Sequence, residues 1–207
     1  MHADTQIGVE SKKSVIGDEM KKILFVNACV RESSRTLMLA RYILDRLNGE
    51  ICEVELQKEN LKPLDENLLE KRDRLISSKE FSNSMFCYAN EFAAADTIVI
   101  AAPYWDLAFP AILKIYLEQI TVCGITFMYK KGIPQGLCRA KQLIYVTTAG
   151  GTIYDNFGFE YVEALAKKLC GIGEVRFFKA ENLDIDGSDI TEILEKAKSE
   201  IDAELRV

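Results

Sequence analysis

With 207 residues, 48% apolar and 28% charged, the chain has the size and composition of one soluble globular domain, able to bury roughly 70% of its unfolded surface. Its 26 basic against 32 acidic residues give a net charge of -6 with no basic patch, which argues against a nucleic-acid partner, and no apolar run nears the ~20 residues of a membrane helix. The sole histidine is His2, so a Ser-His-Asp or Cys-His mechanism would need that residue folded back into the site, and zinc lacks its usual ligands.

Residues 1–19 are a polar leader without periodicity, read as an extension or cloning remnant, with one domain over 20–207. No apolar core flanked by basic residues marks a signal peptide, so the expected compartment is the cytoplasm. Ile23 to Val26 reads as a buried strand. Thr36 to Leu47 reads as a helix, with Leu37, Ala40, Ile43, Leu44 and Leu47 on one face, stopped by Asn48-Gly49. Ile51 to Leu56 is a second strand. Leu61 to Ser78 is polar and fits either a partial helix or a loop. Phe81 to Ala94 is a helix with Met85, Tyr88 and Phe92 along a face. Thr97 to Ala101 is the third strand and Pro110 to Thr121 the next helix. Gln142 to Thr147 is the fourth strand, Phe159 to Leu169 a helix ended by Gly171, Val175 to Phe178 the fifth strand, and Asp189 to Leu205 the last helix. Strands alternating with helices imply an α/β fold, a five-stranded parallel sheet with helices on both faces. Five strands fit the flavodoxin-like order 2-1-3-4-5, whose ligands bind at the strands' carboxyl ends. Cys29, Cys52, Cys87, Cys123, Cys138 and Cys170 lie in no CxxC or disulfide-framework spacing and read as small apolar residues.

Three segments leave the carboxyl ends of strands 1, 3 and 4. Asn27 to Thr36 opens the first helix with hydroxyls and two arginines, and free amides at a helix start suit a phosphate. It is neither a glycine-rich P-loop nor a GxGxxG turn. Pro103 to Pro110 carries Tyr104 and Trp105, suited to a flat heteroaromatic group. Thr147-Thr148-Ala149-Gly150-Gly151 has paired glycines, which allow close backbone approach and positive φ. Singly these are N-capping, closure of a core edge and an ordinary turn. Three at one sheet edge point to a mononucleotide-type site.

Together, Ser33-Ser34-Arg35-Thr36, the loop Ala102 to Lys114, Gly124-Ile125-Thr126-Phe127 and Thr148-Ala149-Gly150-Gly151 resemble the flavodoxin-like NAD(P)H dehydrogenase (quinone) family, and within it the FMN-dependent NADH-azoreductases. The resemblance runs from Met20 to the C-terminus. It implies that Ser34, Arg35 and Thr36 hold the FMN phosphate. Pro103, Tyr104, Trp105, Asp106 and Leu107 would line the isoalloxazine, and Thr148, Ala149, Gly150 and Gly151 would edge its pyrimidine end. The family often has Asn where Asp106 stands; a carboxylate facing the ring would disfavour anionic reduced flavin and lower the redox potential. The chemistry implied is flavin-centred, with no catalytic side chain and no metal. NADH or NADPH would give hydride by a ping-pong mechanism to a quinone or azo acceptor, with the acceptor's proton taken from water rather than from Tyr104, Tyr129 or Tyr154. A homodimer is implied, with Gly124–Gly136 and Phe159–Tyr161 as candidate partner or substrate contacts. The rival readings are a flavodoxin-like electron carrier serving a protein partner and an NAD(P)H-dependent FMN reductase. The Ala-Pro-Tyr-Trp loop and the Gly-Ile-Thr-Phe segment favour the dehydrogenase.

Overall fold

Three of the sheet's strands are runs of β-branched, aromatic and other apolar residues that alternate between two faces, and both faces are buried. In the computed structural model, which describes residues 20–205, the strands are β1 (Lys22–Asn27), β2 (Glu50–Glu55), β3 (Thr97–Ala101), β6 (Gln142–Thr148) and β7 (Glu174–Ala180). They form one sheet in the order β2-β1-β3-β6-β7, parallel throughout. The expected order 2-1-3-4-5 is therefore the observed one. The leader 1–19 lies outside the described residues.

The two-residue period of a strand divides the apolar residues into two cores. Leu24, Val26, Ile98, Ile100, Leu143 and Tyr145 pack on one side against α3 (Cys87–Ala94), α4 (Ala111–Ile120) and α5 (Phe157–Leu165). Ile23, Phe25, Val99, Ala101, Ile144 and Val146 pack on the other against α1 (Arg35–Leu44) and α6 (Ile190–Leu205). Each fully buried Ile, Leu or Phe stabilises the fold by about 1.5–3 kcal/mol, so the central strands dominate its stability.

Three local features refine or add to the sequence reading. Within the polar stretch 61–78 a true helix forms, α2 (Glu66–Ser77), capped by Asp65, whose carboxylate accepts from the Leu68 amide at 2.8 Å. It buries only Leu75, and Arg72 docks it by donating to the carbonyls of Glu118 and Thr121, where α4 ends and its carbonyls lack partners. The expected helix from Phe81 begins later: Asn83 caps a short 3₁₀ turn at Ser84–Phe86 before α3. Between α4 and β6 lies an antiparallel hairpin, β4 (Phe127–Lys130) with β5 (Ile133–Gly136). Its two-residue turn holds Lys131 at φ 53° and Gly132 at φ 78°, the left-handed pair that a tight hairpin requires.

Candidate functional site

At the carboxyl edge of the sheet the ladder continues past the strands and brings the predicted loops together. The Ala28 amide donates to the Ala101 carbonyl at 2.9 Å, Ala102 to Val146 at 3.1 Å, Tyr104 to Thr148 at 3.0 Å and Ala149 to Ala180 at 2.9 Å. Between these segments opens a cavity of about 450 Å³, within the range of small-molecule sites.

One end of the cavity is the start of α1. The Asn27 side chain turns the chain out of the sheet: its Oδ1 accepts from the Cys29 amide at 3.0 Å while its Nδ2 donates to Glu53. Ser34 caps the helix by accepting from the Leu37 amide at 3.2 Å. Among the described residues the amides of Arg35 and Thr36 have no acceptor, as first-turn amides do when nothing reaches them. Ser33, Ser34, Arg31 and Arg35 stand on the same wall. Free amides, hydroxyls and two guanidiniums make a donor set without a carboxylate of its own, the chemistry of an anion site. One acid does approach: Asp184 takes the Arg35 guanidinium at 2.7 Å, and the Leu183 carbonyl accepts from it at 3.2 Å. Both partners are substantially exposed, so this bond is a weak competitor for an anion.

Thr36 is buried, and its hydroxyl is 2.6 Å from that of Thr148, which ties the helix start to the end of β6. Thr148, Ala149 and Gly150 form the next wall. Neither Gly150 nor Gly151 has positive φ, contrary to the reason expected for the pair. A Cβ on Gly150 would lie 2.4 Å from the Asp184 carboxylate, the mobile end of an exposed side chain that can shift aside. A Cβ on Gly151 would meet nothing, and Gly151 is not on the cavity wall.

Pro103, Tyr104 and Trp105 close the third side. The Tyr104 hydroxyl donates to the Asp155 carbonyl at 2.7 Å. Trp105 and Ala108 exchange both backbone hydrogen bonds, at 3.2 and 2.8 Å, across a tight turn. Asp106 and Leu107 form its tip, at φ 49° and 66°, and lie outside the cavity wall. Their amides have no acceptor among the described residues.

Sequence reading missed Leu183 and Asp184, which line the cavity from beyond β7. No motif marks them; only their position one strand past the glycine loop could have. The Gly-Ile-Thr-Phe segment is not on the wall. The buried Thr126 hydroxyl donates to the Ile120 carbonyl at 2.8 Å and accepts from the Val122 amide at 3.1 Å, which knots the end of α4 to β4. The Cys29 thiol lies under the helix start, where burial pushes it up to about 11, so it is no nucleophile. Among the described residues no cluster of His, Cys, Asp and Glu could hold a metal ion, and no helix is long and apolar enough to cross a membrane.

A family model described as the flavodoxin-like fold matches residues 21–205. The chain belongs to that flavodoxin-like family. An FMN-dependent NADH:quinone oxidoreductase of Clostridium perfringens is 33% identical over 187 residues, covering 86% of this chain and 94% of the relative. Another so named, from Coprothermobacter proteolyticus, is 35% identical over 199 residues, with 87% and 96% covered. The solved structure of an FMN-dependent NADH-azoreductase of Bacillus anthracis in complex with FMN matches with a TM-score of 0.76 at 21% identity, covering 90% of this chain and 98% of that one. This last likeness is one of fold. The flavodoxin-like match accounts for the strand order and for a cavity at the switch between β1 and β3.

Proposed function

We propose that the chain is an FMN-dependent NAD(P)H oxidoreductase that passes hydride, by a ping-pong mechanism, to quinone or azo acceptors. The observation that carries the reading is the division of one cavity between an anion-binding helix start and an aromatic wall. The named relatives, two above 30% identity, supply the cofactor and the donor. The residues fit the group: the amides of Arg35 and Thr36, the Ser34 hydroxyl and the Arg35 guanidinium would hold its phosphate. Pro103, Tyr104 and Trp105 would flank its ring system, with Thr148, Ala149 and Gly150 at the ring's edge.

Bound FMN supplies the hydride chemistry, and the protein supplies orientation and surroundings. Trp105 is 43% exposed, so the aromatic wall leaves an open face for flat reactants. Donor and acceptor would use that face in turn, which is the physical basis of the ping-pong order. The Tyr104 hydroxyl is already committed to the Asp155 carbonyl, so water at the open face remains the proton source we favour. Leu107, Tyr154 and Phe157 are exposed, and the Phe157 amide donates to the Leu107 carbonyl at 3.1 Å at the turn that follows Tyr104 and Trp105. This apolar rim, with Asp106 and Leu107 at its tip, supports a homodimer whose second copy completes the mouth.

The deciding experiment is to add FMN to purified protein, desalt it, and record the visible spectrum before and after anaerobic NADH or NADPH. Retained bands near ~450 nm that bleach with the donor are expected. Flavin that is retained but ignores both donors would replace the enzyme with an electron carrier; loss of flavin on desalting would remove the site assignment.

A further inference from the structure

The six cysteines are far apart in sequence, but the fold brings two of them into contact. Cys138 follows β5 and Cys170 ends the π-helical turn Ala166–Cys170 that continues α5. The Cys138 amide donates to the Cys170 carbonyl at 3.4 Å, which makes the two residues backbone neighbours where β5 meets the end of the π-helical turn. The backbones are pressed together beside them: a Cβ on Gly136 would lie 2.1 Å from the Cys170 carbonyl carbon, and Gly171 takes φ 77° against Gly136. The neighbouring Cys138 thiol and burial hold the Cys170 thiol well above its ordinary value, and the Cys138 thiol points to the Thr126 carbonyl at 3.6 Å. Cys138 is half-buried and Cys170 is buried, so an oxidant meets one thiol first and finds the second behind it. Segments with π-helical turns recur at functional sites.

We propose that Cys138 and Cys170 form a reversible redox pair, an oxidation site outside the cavity that takes a hydroperoxide as its oxidant. Hydrogen peroxide converts the Cys138 thiol to a sulfenic acid with release of one water. The Cys170 sulfur then attacks the Cys138 sulfur; the S–O bond breaks, and hydroxide leaves with the Cys170 proton as a second water. Two thiols are oxidised by two electrons and one peroxide is reduced. A dithiol reverses the change by exchange. Burial and the Cys138 contact keep Cys170 protonated until that attack. The bond would staple the β4–β5 hairpin to the end of α5. By the loop-closure account, a loop of this length favours the folded state on the order of several-hundred-fold.

The test is peptide mapping of the whole protein under non-reducing conditions after stoichiometric peroxide, with a thiol count on denatured protein. The expected result is one Cys138–Cys170 linked peptide, a loss of two from six titratable thiols, and an upward shift of the melting temperature that dithiothreitol reverses. Cys170→Ala should halt oxidation at Cys138, trapped by dimedone, whereas Cys52→Ser should leave the cross-link intact. Linkage of other cysteines, or Cys138 driven to sulfinic acid while Cys170 stays reduced, would overturn the proposal. These readouts need no flavin and stand apart from the proposed activity.

Discussion

The hydroxyl pair Thr36–Thr148 joins the helix start to the sheet at 2.6 Å, and it makes an asymmetric prediction. Both residues line the cavity, but Thr36 is 1% exposed while Thr148 is half-buried. Thr→Val keeps the shape and removes the hydroxyl. Thr148→Val orphans the more buried oxygen, which water reaches less readily, so the cost should be about 2 kcal/mol, within the ~1–3 kcal/mol of an unsatisfied buried group. Thr36→Val orphans an oxygen at the cavity wall that water can reach, and should cost closer to ~1 kcal/mol. Removing both leaves nothing unsatisfied, so the double variant should be less destabilised than the sum by ~1–2 kcal/mol. For a chain of this size each kcal/mol moves the melting temperature by about 2–4 °C. Urea unfolding of the four proteins of the cycle, with an unchanged m-value, reads the coupling directly. Additive single effects, or a larger loss for Thr36→Val than for Thr148→Val, would show that the pair is not the tie it is taken to be.

Arg35→Ala should weaken FMN binding by roughly 10–100-fold, the value of a charge-assisted contact, and leave riboflavin binding unchanged; equal losses for both ligands in fluorescence titrations would remove Arg35 from the phosphate end. Asp184→Asn frees that guanidinium and should tighten FMN binding at low salt, an effect that fades as salt is raised. Gly136→Ala drives a methyl group into the Cys170–Gly171 backbone and should cost about 3 kcal/mol or more in denaturant unfolding, because no flexible side chain can yield. Cys29 stays neutral in the fold up to about 11 from an ordinary value of 9.0 because burial disfavours its thiolate. Its contribution is whole below pH 9 and is lost as pH rises through 11, on the order of 2–3 kcal/mol. Cys29→Ala should therefore be less stable at neutral pH yet show a shallower decline between pH 9 and 11; parallel declines for both proteins would refute the assignment.

The sheet was legible because its central strands are buried on both faces, so Ile23–Val26 and Thr97–Ala101 read as nearly unbroken apolar runs between punctuated helices. What escaped reading has little apolar signal of its own. Helix α2 buries one leucine and is fixed by Arg72 reaching the carbonyls at the end of α4, a contact that no local pattern encodes. The hairpin turn Lys131-Gly132 lacks the Asn-Gly pair that announces such turns, although its glycine takes the expected left-handed position. At the site the three loops were identifiable because each follows an identifiable strand. Asp184 was not, since its role comes from Arg35 at the start of α1, 149 residues earlier in the chain. Of the two reasons for expecting the paired glycines, positive φ is absent at both, while Gly150 does bring its backbone to the cavity wall.

The turn at Trp105–Ala108 joins these strands of argument. Two successive non-glycine residues at positive φ cost about 1–2 kcal/mol each, less for Asp106, whose short polar side chain tolerates that region, than for Leu107. A connection between β3 and α4 needs no such turn. Here it is held from both sides, by the exchanged Trp105–Ala108 bonds within and by the 155–157 segment outside, through the Tyr104 hydroxyl and the Phe157 amide. The strain fixes Trp105 at the cavity while turning Asp106 and Leu107 away from it. Asp106 is not on the wall of the cavity, so its charge should act on a bound ring mainly through solvent, where screening reduces it. The aromatic wall is thus kept rigid and nearly neutral, and the charges that would bind the cofactor stand at the other end, on α1.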